Sequence, residues 1–283
     1  MSIEKGSSLR RDRVAEDIFV FISETYLQVT STVVLTSDGA VVIDATPFPA
    51  EARQVHQFAT DQGQNGIRYV INTHHHADHV YGTFVFEDAE VIAHDTCREM
   101  LMAGGQALLR RAKAETPALA EVTLHLPDMT VENSLRLSLG QQSLRLLHLP
   151  GHSADGIGVY IEGEKALVAG DCVMPVPYFV GGDRHELART LRRIQEMEPD
   201  FIIAGHGSVL LRGEVDETIE ANIAYMQTIE QRVRRVVEEG QPPSTLREID
   251  IESCGLSRIP LDGMVSKLHL ENLIALYREF SDL

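Results

Sequence analysis

The chain is poor in cysteine, in basic residues and in long apolar runs. Its 283 residues include three cysteines, Cys97, Cys172 and Cys254. Few, odd in number and widely spaced, they speak against a disulfide scaffold and suit a reducing compartment. Lysine plus arginine number 25 against 42 aspartate plus glutamate, a formal net charge of −17. So acidic a surface repels phosphate backbones and anionic lipid, so neither nucleic acid nor membrane is expected as a partner. No apolar run reaches transmembrane length, and the opening MSIEKGSSLRRDRVAEDIFVF lacks an apolar stretch and a small-residue cleavage site. A cytoplasmic location is the expectation. Low-complexity segments and long linkers are missing too, and 43% hydrophobic with 24% charged residues is the composition of a folded globular chain.

What is present alternates strands with helices. DIFVFI, STVVLT and AVVIDAT read as strands, the last two joined by a Ser37-Asp38-Gly39 hairpin turn. A helix follows from Pro49 to about Gly63, then the buried-type strand IRYVIN, the strand AEVIAHD and a helix over Thr96 to Ala114. Further on, VTLHL, LRLSL, LRLLHL, IGVYIEG, KALVAG and FIIAGHG read as strands, with a helix over His185 to Met197 before the last. Beyond Gly207 the pattern turns helical: Val215, Ile219, Ile223, Met226, Ile229 and Val233 share one helix face, and a final amphipathic helix spans Leu261 to Phe280. This predicts a layered α/β domain over residues 1–210 and a helical extension over 211–283 packed on it. The apolar stripe of the long helix leaves a homodimer open.

Four of the twelve histidines crowd into NTHHHADH, Asn72 to His79. Histidine packs poorly and favours neither helix nor strand, so a packing role is a weak explanation, and a solvated loop or chance metal tag sits badly with the internal position. On an extended segment His74, His76 and Asp78 project to one side, with His79 where the chain can turn. Imidazole and carboxylate are ligands that zinc accepts. Four of them exceed the needs of one catalytic zinc with an open position, so the count points to two metals. The chain offers more in matching contexts: His152 in LHLPGHS, Asp171 in LVAGDCV and His206 in FIIAGHG, each just past an apolar strand. Strand ends converging on one edge are the usual geography of an α/β active site.

With these segments in order, and with Asp44 in VIDAT, the sequence resembles the metallo-β-lactamase-fold hydrolases over roughly Ile18 to Gly207. The resemblance implies a four-layer αββα sandwich with its metals where two sheets meet. It implies that His74, His76 and His152 hold one zinc ion, that Asp78, His79 and His206 hold the other, that Asp171 bridges them, and that Asp44 orients the ligand loop from behind. It further implies a hydroxide shared between two zinc ions, with iron or manganese as other fillings, attacking an ester, thioester, lactone or amide of a small molecule. Asp78 would then accept the nucleophile's hydrogen bond or carry its proton to the leaving group.

THHHADH is shared with glyoxalase II, a glutathione thioesterase, but the segment CVMPVPYFVGGD after Asp171 lacks that enzyme's glycine- and arginine-containing loop. The best-known zinc β-lactamases carry cysteine where Asp171 stands, whereas lactonases share the all-His/Asp set. The ending LHLENLIALYREF is similar to the tails of a broad group of unassigned hydrolases of this fold. Three alternatives stand beside the zinc hydrolase: a mononuclear-iron, persulfide dioxygenase-like enzyme, a phosphodiesterase or nuclease of the same fold, and a metal-binding scaffold without catalysis. Tyr178 and Phe179, just past Asp171, are expected either to wall the substrate pocket or to anchor their loop. His75 alternates away from its neighbours, and a structural hydrogen bond is expected of it. His94, His125, His148 and His185 are assigned to core or surface, and Cys172 to the core. His269 and Asn272, one turn apart in the last helix, read as an interhelix polar contact. The charged face from Arg232 to Glu239 reads as solvated helix surface.

Overall fold

Apolar residues at alternate positions set two sheets back to back. The protein is described here by a computed structural model that covers residues 9–281. Its first sheet runs in sequence order through β1 (Leu9–Ala15), β2 (Ile18–Ser23), β3 (Thr30–Val34), β4 (Ala40–Ile43), β5 (Ile67–Ile71), β6 (Glu90–His94) and β7 (Met129–Val131). Pairing is antiparallel from β1 to β4 and parallel from β4 to β7. The second sheet holds β8 (Ser134–Leu139), β9 (Gln142–His148), β10 (Ile157–Ile161), β11 (Ala166–Gly170), β12 (Phe201–Ala204) and β13 (Leu210–Leu211), again in sequence order. Only its β11–β12 pair is parallel.

Ile18, Val20 and Ile22 of β2 meet Leu144, Leu146 and Val159 of the second sheet in the core between the sheets. The intervening residue Phe21 faces the other way. The helices are α1 (Pro49–Gln62), α2 (Ala77–Val80), α3 (Asp95–Met100), α4 (Gln106–Glu115), α5 (Arg184–Glu196), α6 (Arg212–Glu238) and α7 (Val265–Phe280). Proline begins α1, which buries Ala52, Val55 and Ala59 against the outer face of the first sheet. Asp183 caps α5 by accepting from the amides of His185 and Glu186. The apolar sides of α5, α6 and α7 share one core with Leu167, Ala169 and Ile202 on the outer face of the second sheet. The layers are therefore αββα with a C-terminal helical region. No helix among the described residues is long and apolar enough to cross a membrane.

Two expectations are corrected. VTLHL forms no strand, because β7 takes the free edge of β6 and Val122 closes a turn onto the Leu119 carbonyl instead. The helix expected over Thr96 to Ala114 is interrupted by a π-helical turn, Leu101–Gly105. A Cβ on Gly105 would lie 2.7 Å from Leu124 Cδ2, so the glycine admits the very segment that failed to become a strand. Strands β1, β7 and β13 lie outside the segments that read as strands in the sequence: β1 is long but polar, and β7 and β13 are only three and two residues. Leu146 is fully buried between the sheets. Leu146→Ala should destabilise the metal-free protein by about 2–5 kcal/mol, read from urea unfolding; a shift within error would contradict this account of the core.

Candidate metal centre

Five loops deliver the chemistry-bearing residues to one edge. Asp44 follows β4, the run Thr73 to His79 follows β5 and enters α2, His152 follows β9, Asp171 follows β11, and His206 follows β12. The two sheets are tied together there. Thr30 donates its amide to the Gly205 carbonyl at 2.9 Å and its hydroxyl to the Ala204 carbonyl at 2.7 Å. The Ile157 amide donates to the Thr73 carbonyl at 2.8 Å.

All seven side chains expected as ligands meet, in two groups: His74, His76, His152 and Asp171, and Asp78, His79 and His206, each within 4.8 Å. His76 Nδ1 lies 2.9 Å from His74 Nε2 and 3.0 Å from His152 Nε2. The Asp171 carboxylate stands between the groups: Oδ2 is 3.4 Å from His152 Nε2 and 3.5 Å from His206 Nε2, and Oδ1 is 3.3 Å from His79 Nε2. Asp78 Oδ2 is 3.3 Å from His206 Nε2. Asp171 fits only beside a glycine, since a Cβ on Gly205 would fall 1.9 Å from Asp171 Oδ1.

Outer partners fix which imidazole nitrogen faces inward. His152 Nδ1 donates to the Tyr178 carbonyl at 2.7 Å and His206 Nδ1 to the Leu27 carbonyl at 2.9 Å; a carbonyl only accepts, so in the neutral form of either ring Nε2 carries the lone pair. His79 Nδ1 donates to Asp44 Oδ2 at 2.8 Å. Thr73 donates its amide and hydroxyl to the two Asp44 oxygens, each at 2.7 Å, and its hydroxyl oxygen then accepts from His74 Nδ1 at 3.0 Å. Acceptors behind imidazoles are the usual outer support of metal ligands. Within the cluster, His79 Nε2 and Asp171 Oδ1 are buried and make no hydrogen bond. Polar atoms seldom stay buried without a partner, so the pair fits a cation ligated between them.

The electrostatics divide the site. Burial, reinforced by neighbouring imidazoles, holds His74 well below the ordinary histidine range and brings His76 down to about 4. Burial also lowers His152. Burial opposes charge on His79 and His206 as well, but there it is outweighed. Asp171, Asp44 and Asp78 hold His79 well above its ordinary value, and Asp171 and Asp78 raise His206 to about 10. In turn His79 and His206 overcome the burial of Asp78 and bring it to about 2. His206, His79 and His152 hold Asp171 well below the usual carboxylate range.

Sequence reasoning missed Asp155, fully buried, which accepts from the His75 amide at 2.7 Å and lies 3.0 Å from His75 Nδ1. That is the structural bond expected of His75, and the carboxylate three residues past His152 was its signal. The Thr73 relay and Tyr26 were missed too. Burial and then Asp78 and Asp171 push the Tyr26 phenol up to about 12, so it stays protonated beside the cluster. Phe179 is packed into the core, its amide donating to Asn272 Oδ1 at 3.3 Å, so it anchors its loop rather than walling a pocket. Tyr178 lies beside His152, ring centroids 5.9 Å apart, with its hydroxyl donating to Glu271 Oε2 at 3.0 Å. His269 makes the interhelix contact, to the Tyr225 hydroxyl at 2.8 Å, whereas Asn272 clamps the loop through the Pro177 carbonyl at 2.7 Å. Cys172 is buried, its thiol raised by burial and by Asp171.

The family model of the Metallo-beta-lactamase superfamily matches residues 25–206, more than half of the chain. The protein belongs to that superfamily, and its His/Asp cluster is a divalent-metal site. Among its relatives, the chain is 25% identical over 173 residues to the beta-lactamase-like protein 2 homolog of Caenorhabditis elegans, covering 61% of this chain and 52% of that one. It is 25% identical over 187 residues to a hydroxyacylglutathione hydrolase of Methylococcus capsulatus, covering 64% and 65%. The match thus spans about half to two thirds of these relatives' length. A metallo-beta-lactamase from Pontibacter korlensis superposes with a TM-score of 0.63 at 17% identity, covering 75% of this chain and 98% of that one, a likeness of fold.

Asp44→Asn leaves His79 and Thr73 with a weaker acceptor and should lower metal affinity about 10–100-fold in competition with a chromophoric chelator; unchanged affinity would remove Asp44 from its supporting role. Zinc uptake near neutral pH should release protons, because His206, raised from 6.5 to about 10, must lose one to ligate, as must His79, whereas His74, His76 and His152 are already neutral. In the metal-free protein the His206 contribution to stability is complete below pH 6.5 and is lost as pH rises through about 10. Apparent zinc affinity therefore climbs over that same window. Calorimetry in two buffers of different ionisation enthalpy checks it; identical heats would contradict it.

Proposed function

We propose that the protein is a metal-dependent hydrolase with two zinc ions, cleaving an ester, thioester, lactone or amide bond of a small molecule. One observation carries the reading: two clusters of largely buried nitrogen and oxygen donors share a single carboxylate, with four of their five imidazoles oriented from behind. In this reading His74, His76 and His152 hold one ion, Asp78, His79 and His206 the other, and Asp171 serves both. When bound, such a pair of ions supplies Lewis acidity to a carbonyl oxygen and brings the pKa of water towards neutrality.

The remaining work belongs to the chain. Asp78, ionised down to about pH 2 and the least buried of the carboxylates, is available to accept a proton from the attacking water and return it to the leaving group. Asp44 and Thr73 hold His79 and His74 in register, and Asp155 holds the loop between them through His75. The imidazoles of His74, His79, His152 and His206 are all but closed to solvent, which excludes bulk water from the ligand side. The hydroxyacylglutathione hydrolase among the relatives supports a thioester; the departure of CVMPVPYFVGGD from that enzyme's loop widens the class. The net charge of −17 favours a small-molecule substrate over nucleic acid or a membrane surface.

Protein loaded with zinc should carry about two ions per chain and hydrolyse members of a thioester, lactone, β-lactam and phosphodiester panel. Asp78→Ala should lower kcat/KM by about two to four orders of magnitude. Full activity in that variant would refute the mechanism, and one iron per chain with oxygen consumption would replace it.

A further inference from the structure

Two clefts flank the cluster, and they differ in the charged side chains on their walls. One, of about 650 Å³, opens beside His206 and runs between Val173, Met174 and Pro175, just downstream of Asp171, and Pro260 and Leu261. The other, of about 420 Å³, opens beside His76 and Asp78; it too has apolar lining, from Tyr81, Met100, Leu101 and Leu108, but its wall also carries the Arg111–Glu115 ion pair. Among the described residues lining the first cleft there is neither lysine nor arginine, and its only carboxylate is Asp262. We infer that the His206-side cleft is the acyl subsite, built for an uncharged, extended apolar acyl group whose polar leaving group lies on the Arg111 side. This rests on the hydrolase reading above.

The loop that carries Asp171 continues directly into the apolar wall, so a chain seated there is tethered next to the cluster. At the far wall, away from His206, a group ending in a carboxylate would meet Asp262 with no lysine or arginine to compensate it, an arrangement that disfavours anions there. The far wall is held open by strained backbone: Leu261 and Asp262 have φ of 53° and 54°, and Gly263 follows at 84°. Two successive non-glycine residues in the left-handed region carry a cost that tends to be kept at functional sites. The bend turns Leu261 inward, where it is 1% exposed. Gly207, with φ of 94°, sits between Pro175 and Leu261; a Cβ there would lie 3.2 Å from Pro175 Cγ and narrow the cleft beside His206. Ile259, which also lines this cleft, leaves a large apolar side chain 77% exposed.

The test uses the full-length zinc-loaded protein and p-nitrophenyl acetate, hexanoate and decanoate. A fully buried methylene is worth about fourfold, so a subsite that takes up even about two of the added methylenes raises kcat/KM at least about tenfold from acetate to decanoate. Thr218→Phe, which fills the cleft from α6, should bring the decanoate-to-acetate ratio towards unity. Ile259→Asp, at a position 77% exposed, should move the ratio the same way. Independently of activity, the metal-free protein should bind the neutral fluorophore N-phenyl-1-naphthylamine and release it to decanol more readily than to decanoate, with binding weakened by Thr218→Phe. A flat length series alongside acetate hydrolysis overturns the acyl subsite and leaves the hydrolase standing. No cleavage of any ester, with the fluorophore still displaced by decanol, overturns the hydrolase reading and leaves the cleft's ligand class intact. Equal displacement by decanol and decanoate overturns the charge selectivity proposed for it.

Discussion

One buried carboxylate organises the edge on which everything else depends. Asp44, 2% exposed, leaves β4 with φ of 58°, a conformation that costs an L-residue about 1–3 kcal/mol unless its surroundings hold it. What holds it is a full set of partners. Its amide donates to the Ile71 carbonyl at 2.8 Å, its carbonyl accepts from the Ser31 hydroxyl at 2.7 Å, and its carboxylate receives Thr73 twice and His79 once. The bend aims the carboxylate beneath the end of β5, where the ligand run begins. A straight continuation of β4 would carry it away from that loop and leave two imidazoles with undefined tautomers.

Thr73 carries this order across to the second sheet. Its carbonyl accepts from Ile157, and its side chain fills the space against Gly170, where a Cβ would stand 2.7 Å from the Thr73 hydroxyl. Gly170 itself has φ of 54°, turning the chain so that Asp171 enters the cluster. Gly205 then leaves room for the Asp171 carboxylate. The site is thus a junction of two sheets, the first supplying the Thr73–His79 loop and the second the loops that carry His152, Asp171 and His206. Its electrostatics express the same crowding. One half collects neutral imidazoles and the other balances carboxylates with protonated ones, so cation binding on the second side competes with protons.

The layers and the cluster were legible in the sequence because they rest on strong local signals. Short runs rich in β-branched and other apolar residues marked β2, β3, β10, β11 and β12, and His74, His76 and Asp78 stand at a spacing that few structural roles require. His152, Asp171 and His206 each follow an apolar strand, so fold order alone sent them to the same edge. What escaped was non-local. VTLHL has the composition of a strand, yet a strand needs a neighbour, and the edge of β6 was already taken by the less conspicuous β7. Asp155 and Thr73 matter through partners 80 and 29 residues away, which no window of sequence displays. Phe179 sat close to a ligand in sequence while its side chain turned into the core.

The C-terminal helices explain why ligand residues alone leave a substrate undefined. The cluster ends at His206, but the chain runs on through α6 and α7, and Asn222, Glu271 and Asn272 reach back to the loop that follows Asp171. Asn222 holds the Met174 carbonyl at 3.1 Å and Asn272 the Pro177 carbonyl at 2.7 Å. That loop therefore takes its shape from residues that lie outside the matched family region of 25–206. Because the same loop supplies the Tyr178 carbonyl that orients His152, a change in these helices acts on both the pocket wall and the ligand set. Chemistry and selectivity are separable in sequence, but through this loop they are mechanically joined.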